Sequence, residues 1–342
     1  MWSVVGQDRA VALLKHGLAK GTVAHAYLLV GPAHVGKMKL AINLAQALNC
    51  ESAEPPCSEC ASCQKIASAN HPDVQIIGLL ADNGSAEAKP RAEIGIDQVR
   101  EMQHSANLPP FEGKYKVFII DGVELMSNEA ANCLLKTLEE PVGSVVFVLL
   151  TTSDQLLPAT VVSRCQRLEL FPLALDAVEK VLSGDHNVEP ARAKLLARLC
   201  GGCLGWALAA TSDESLLTRR AERIDRMLDI IGSDADERFA YAAQLATQFG
   251  QNRGEVQQIL DLWLDWWRDL LLVKVGLSDR ITNVDRLARL VDVAKGYSLA
   301  QIRSAINHVQ AAGTQLKQNA NPRLVLEVLM LDIPAGKVAR YG

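Results

Sequence analysis

The stretch Gly31-Pro32-Ala33-His34-Val35-Gly36-Lys37 constrains this chain more than any other. A short apolar run, Ala26 to Val30, leads into it, and a helical pattern from Lys37 to about Leu48 follows. In that setting G-x-x-x-x-G-K is a phosphate-binding loop. Its glycines let backbone N–H groups turn towards phosphate oxygens, the helix N-terminus adds favourable partial charge, and Lys37 reaches the terminal phosphates. A glycine turn that binds nothing is the alternative reading, and Met38 gives it weight. The motif calls for Ser or Thr there, whose hydroxyl holds Mg²⁺. A thioether is a soft ligand, poorly matched to a hard cation. ATP or ADP can still enter such a loop, but Mg²⁺ would be badly placed.

The rest of the first half repeats the strand–helix alternation. Val74–Ile77, Val117–Ile120 and Val145–Leu150 are short runs rich in β-branched residues. Between them lie amphipathic stretches, Asp97 to Leu108 and Asn128 to Glu140, the second with Ser127 as N-cap and Pro141 just past its end. Nearly continuous apolar strands separated by helices predict an α/β fold, a parallel sheet covered on both faces. Residues 81–93 read as an exposed loop inside this domain. After about Phe171 the strand signals stop. Short helical patterns run to about Thr211, and from Asp213 to Asp332 everything reads as helix. The richest apolar segment carries Trp263, Trp266 and Trp267, which fit a helix-bundle core or an interface with a partner better than a base-stacking surface.

Asp121 ends the apolar run Val117–Ile120, where a Walker B aspartate sits at the C-terminal end of its strand. Gly122 follows it, so the acid that activates water is missing from the adjacent position. Glu124 is the nearest acid and can be read as a substitute or as a helix-start acid without catalytic duty. Hydrolysis by this chain is therefore not expected.

Of eight cysteines, Cys50, Cys57, Cys60 and Cys63 crowd together. In a reducing compartment such spacing suggests a structural Zn²⁺ site with all four ligands from protein, set against a group of unrelated thiols. Cys133, Cys165 and the Cys200–Cys203 pair read as packed residues. The formal charge of −4 argues against a chain that grips DNA alone, which would normally show a basic excess. No apolar run reaches membrane-spanning length, and MWSVVGQDRA lacks the basic start and apolar stretch of a secretory signal, so the chain reads as cytoplasmic with no membrane partner.

Two strings, Asn132-Cys-Leu-Leu-Lys-Thr-Leu-Glu-Glu-Pro141 and Leu157-Pro-Ala-Thr-Val-Val-Ser-Arg-Cys165, closely resemble bacterial clamp-loader subunits. Val5-Gly6-Gln7, His25-Ala26-Tyr27 and the cysteine cluster after the P-loop helix do so as well. The resemblance covers about the first 170 residues. It implies an AAA+ nucleotide-binding core over 1–170 with a zinc module at 50–63, a small helical lid over 171–212, and an all-α collar for oligomerisation over 213–342. It also implies a place in DNA replication within the DNA polymerase III holoenzyme, with gamma/tau and delta subunits, the sliding clamp and primer-template DNA as partners.

Within that family Met38, Gly122 and Gly205-Trp206 depart from the ATP-hydrolysing gamma/tau type, which keeps a P-loop threonine, an acid after the Walker B aspartate and a lid arginine. The departures point to the delta-prime branch, as does the lack of a long extension after the collar. The resemblance assigns Ser163-Arg164-Cys165 to a motif whose arginine reaches ATP on a neighbouring subunit, a role suited to a permanently charged, forked guanidinium. A local surface salt bridge is the alternative for Arg164. Thr151 and Thr152 match the sensor-1 region, and Lys136 reads as a DNA-backbone contact or as an ordinary solvated lysine. Two rival readings remain: an ATP-hydrolysing gamma/tau-like motor, and a stand-alone zinc-containing DNA-binding module.

Overall fold

The computed structural model describes residues 1–79, 93–140, 143–318 and 320–335. The expected loop at 81–93, apart from its last residue, and Pro141 lie outside them. The chain divides into two compact units, Met1–Leu173 and Ala174–Gly342.

In the first unit, in chain order, α1 (Asp8–Lys20), β1 (Ala26–Val30), α2 (Lys37–Asn49), α3 (Ala61–Ala67), β2 (Val74–Ile77), α4 (Ile96–Ala106) and β3 (Lys116–Asp121) are followed by α5 (Asn128–Glu139), β4 (Val145–Thr151), α6 (Ala159–Val162) and β5 (Gln166–Glu169). The five strands form one parallel sheet in the order β2-β3-β4-β1-β5. Successive side chains of a strand point to opposite faces, so each central strand feeds two cores. Leu29, Ile119 and Val148 pack with Leu14, Leu40 and Leu44 on one face. Leu28, Phe118 and Phe147 pack with Met102 and Leu134 on the other. The α/β parallel-sheet fold expected from the strand–helix alternation is the one the chain adopts.

α5 begins as the sequence predicts, with the Ser127 hydroxyl accepting from the Ala130 N–H at 3.2 Å. Four elements were not foreseen: α1, α3, α6 and β5. In β5 only Leu168 is buried, so the strand carries no apolar run. Its position comes from backbone pairing with β1, Tyr27 against Gln166 through Val30 against Glu169.

The second unit is helical: α7 (Leu175–Lys180), α8 (Pro190–Leu199), α9 (Leu204–Ser212), α10 (Ser215–Gly232), α11 (Ala235–Gln251), α12 (Arg253–Lys274), α13 (Leu287–Lys295), α14 (Leu299–Lys317) and α15 (Pro322–Asp332). The three tryptophans of α12 are fully buried in its core, so they are packing residues and not a stacking surface. Trp263 stacks on Tyr241 with ring centroids 6.2 Å apart, and Trp267 meets Tyr297 edge-on at 5.1 Å. Buried Asp269 accepts from the backbone N–H groups of Thr282 (3.0 Å) and Asn283 (2.7 Å), fixing the segment after α12. Buried Arg238 donates to the carbonyls of Ile230, Ile231, Met330 and Ile333, satisfying the open ends of α10 and α15. Among the described residues no helix is long and apolar enough to cross a membrane.

Truncating Trp263 to Ala removes a large, fully enclosed side chain. It is expected to cost about 3–5 kcal/mol of stability, read from the urea midpoint of the purified chain. A loss below about 1 kcal/mol would show that the three tryptophans are not the core of this unit.

Candidate nucleotide site and metal centre

The P-loop lies at the C-terminal edge of the sheet, where parallel α/β sheets bind ligands. Val30 pairs with Thr151, and the Gly31 N–H donates to the Thr151 carbonyl at 3.2 Å, so β1 and β4 end side by side. On the other flank of β4, Asp121 pairs with Leu150. Gly31 is required by space: a Cβ there would sit 2.6 Å from the Leu170 carbonyl oxygen. Gly36, with φ at +108°, forms the N-cap of α2. These contacts gather Gly31, Gly36, Lys37, Met38, Asp121 and Thr152 around one strand edge.

Each of the gathered residues has contacts of its own. The Lys37 ammonium donates to the carbonyls of Gly31 (2.5 Å) and Pro32 (2.7 Å), bracing the loop from inside. Met38 packs against the core under the sheet, so its thioether serves the interior. Burial pushes the Asp121 carboxyl above the usual carboxylate range and Glu124 adds to this, while Lys37 and His34 oppose it. Burial and the nearby Lys37 lower His34, against the pull of Asp121. Gly122 has φ at +75°, in the left-handed region, and a Cβ there would come 3.0 Å from Leu125 Cδ1. A glutamate at 122 would be strained by the left-handed backbone, and Leu125 would have to shift by a few tenths of an ångström to admit it. Glu124, in turn, accepts from the N–H and hydroxyl of Thr152 at 3.0 and 2.9 Å, a pairing with no local signal in the sequence.

Arg164 follows the C-cap of α6, with Ser163 donating its hydroxyl to the Thr160 carbonyl at 3.2 Å. The guanidinium donates to the Glu139 carboxylate at 2.7 Å and to the Thr160 carbonyl at 2.9 Å. Its side chain is 34% exposed, at the surface of this unit. The described contacts of Arg164 are therefore a local surface ion pair plus backbone bonds. Gly205 and Trp206 lie in the first turn of α9.

The four clustered cysteines converge. Their sulfur atoms all lie within 4.8 Å of one another, against about 3.8 Å between sulfurs in an ideal tetrahedral zinc–thiolate site. Cys50 caps α2, Cys60 caps α3, and Cys63 sits in the first turn of α3. Backbone N–H groups point at the sulfurs: Ser52 and Cys57 at Cys50, each 3.4 Å, Cys60 at Cys57 (3.3 Å), and Cys63 at Cys60 (3.5 Å). Such donors stabilise thiolates. The bonds from Cys60 and Glu59 lower the Cys57 thiol to about 6, whereas burial pushes Cys63 up to about 12. A bound cation overrides that difference, because it deprotonates coordinating thiols outright. The donor set and spacing fit a metal ion.

An unforeseen residue ties this module to the sheet. Asp73 is buried, and its carboxylate accepts from the N–H groups of Phe111, Glu112 and Gly113 at 2.7, 2.9 and 2.7 Å. Burial raises its carboxyl, but those three bonds outweigh burial and hold it below the usual range. Glu112 then pairs with Lys65 of α3 at 2.7 Å.

Residues 6–174 match a family model described as DNA polymerase III, delta subunit, and residues 236–334 match a second model that describes the carboxy-terminal part of the delta subunit. The chain belongs to the clamp-loader family of DNA polymerase III. It is similar to DNA polymerase III subunit delta' of Bacillus subtilis, 28% identical over 96% of this chain and 97% of that one. It is also similar to subunit tau of Bacillus subtilis (27% identical, 96% of this chain) and of Escherichia coli (31%, 87% of this chain). The chain spans 60% and 45% of those two tau proteins. Among solved structures, a gamma subunit-related protein of Thermotoga maritima aligns over 95% of this chain and 98% of its own, with 20% identity and a TM-score of 0.45.

Because the backbone at 122 is left-handed, Gly122→Glu is expected to leave the chain without ATP turnover and to cost about 1–2 kcal/mol of stability. Thermal melting and a phosphate-release assay test both halves. Turnover gained without loss of stability would refute the backbone explanation.

Proposed function

We propose that this chain is the delta-prime subunit of the clamp loader, a stator with little or no ATPase activity of its own. In this reading it joins gamma/tau and delta subunits, supplies Arg164 to ATP bound by a neighbouring gamma/tau subunit, and helps load the sliding clamp on primer-template DNA. The AAA+ core spans 1–170, the lid 171–212 and the collar 213–342.

One contrast carries the reading. Three groups needed for hydrolysis are replaced, by Met38, Gly122 and Gly205-Trp206, while Ser163-Arg164-Cys165 keeps a surface arginine whose partners are exchangeable. Glu139 is half exposed, and an exposed ion pair contributes only about 0–1 kcal/mol, so phosphate oxygens can displace it. A guanidinium there would meet phosphate through forked donors and stabilise charge as it develops in transfer.

The Cys50, Cys57, Cys60 and Cys63 site is assigned to a structural Zn²⁺, the ion that four thiolates at this spacing suit best. Its four ligands would all come from protein, leaving no position for a reacting water.

In a reconstituted loader, Arg164→Ala is expected to lower DNA-stimulated ATP hydrolysis, by as much as about 10³-fold at the site it serves. Unchanged hydrolysis would remove the trans role. Turnover by the isolated chain that disappears in Lys37→Ala would instead make it a gamma/tau-like motor. For the metal, elemental analysis of protein purified without chelator is expected to give about one zinc per chain. Protein free of zinc, with all four thiols titrating readily, would contradict the assignment.

A further inference from the structure

Glu124 consumes the hydrogen-bond donors of Thr152, the residue that follows the C-terminal end of β4. Both the backbone N–H and the hydroxyl of Thr152 donate to Glu124 Oε1, at 3.0 and 2.9 Å. The other oxygen, Oε2, is shielded from water and has no hydrogen-bond partner among the described residues. The adjacent hydroxyl is also taken: Thr151 Oγ1 donates to the Ser153 carbonyl at 3.0 Å. Thr152 stands one residue beyond Thr151, whose carbonyl receives the Gly31 N–H, so these groups border the phosphate loop directly.

We propose that the P-loop of this chain selects a nucleoside diphosphate over a triphosphate, with Glu124 as the specificity-determining residue. The proposal rests on the nucleotide-binding reading of residues 31–37 and extends it. The loop N–H groups and the N-terminus of α2 are retained, and these hold the inner phosphates through backbone alone. A third phosphate reaches past the loop towards the ends of β3 and β4. It needs donors or a cation there. Thr152 and Thr151 have already given theirs to Glu124 and Ser153, and Met38 removes the hydroxyl that would hold Mg²⁺ between the outer phosphates. The group that replaces them is a carboxylate, an acceptor with the same sign as phosphate, beside a second one at Asp121. Lys37 is the cation that the loop itself supplies against them, and its ammonium also braces the loop carbonyls. Each added phosphate charge is therefore disfavoured, whereas the diphosphate stops short of the acids.

The test is titration of the full chain with fluorescent ADP and ATP analogues, in chelator and in Mg²⁺, for the native protein, Glu124→Gln and Glu124→Ala. Glutamine keeps an acceptor for Thr152 and so preserves the local fold while removing the charge. Expected is ADP bound about tenfold more tightly than ATP by the native chain, with little change on adding Mg²⁺. In Glu124→Gln the gap closes because ATP binds more tightly while ADP affinity stays the same. ATP binding as tightly as ADP to the native chain would overturn the proposal and leave the P-loop reading intact. An equal gain for both nucleotides in Glu124→Gln would overturn it too, since it would show general charge relief. Failure of both nucleotides to bind any of the folded proteins would instead sink the nucleotide-binding reading itself, and the selectivity with it.

Discussion

The pairing of β1 between β4 and β5 is the constraint from which the first unit follows. It is made of backbone hydrogen bonds, so it is indifferent to side chains and tolerates the polar residues of β5. Once β1 is central, its C-terminal end brings Gly31 against Thr151 and Leu170, close enough that a Cβ at Gly31 would overlap the Leu170 carbonyl. The loop must then turn away from the sheet and enter α2, which is the geometry a phosphate loop needs. β4, which pairs with β1 on one side and β3 on the other, brings Thr151 and Asp121 to the same end of the sheet. A site is assembled because the sheet is parallel and every strand ends on one side.

The residues at that edge each have a place in the fold of the unit. Met38, half-buried, packs against the core from the first turn of α2. Gly122 adopts a backbone conformation that a glutamate would strain. Glu124 and Thr152 satisfy one another. The surface arginine is different: Arg164 rests on an exposed carboxylate and a backbone carbonyl, contacts that are weak in water and easily exchanged. What is stable in this unit faces inward, and what is exchangeable faces out.

Much of this was legible in the sequence because it depends on local order. The apolar runs, the glycine spacing of the P-loop, the Ser127 cap and the bunching of Cys50, Cys57, Cys60 and Cys63 are all properties of residues near one another in the chain. The resemblance carried by Asn132–Pro141 and Leu157–Cys165 extended that reading to a family, and the family models agree with it. Other features left no local signal. β5 has one buried residue and no alternation. Asp73 is an ordinary acid in the sequence, and its three N–H donors come from a loop that the fold brings to it. The burial of Trp263, Trp266 and Trp267 was readable only as one of several uses for an aromatic stripe.

The sequence by itself determined the α/β class of the first half, the helical second half, the glycine spacing of residues 31–37 and the bunching of four cysteines along the chain. These rest on residue type, spacing and periodicity, which act over a few turns or strands. Tertiary structure alone decided that Glu124 would claim Thr152, that Arg164 would rest on Glu139, that Asp73 would anchor the loop at Phe111, and that the four sulfurs would meet. Hydrogen bonds and ion coordination act over a few ångströms, so they are set by which distant segments the sheet brings into contact.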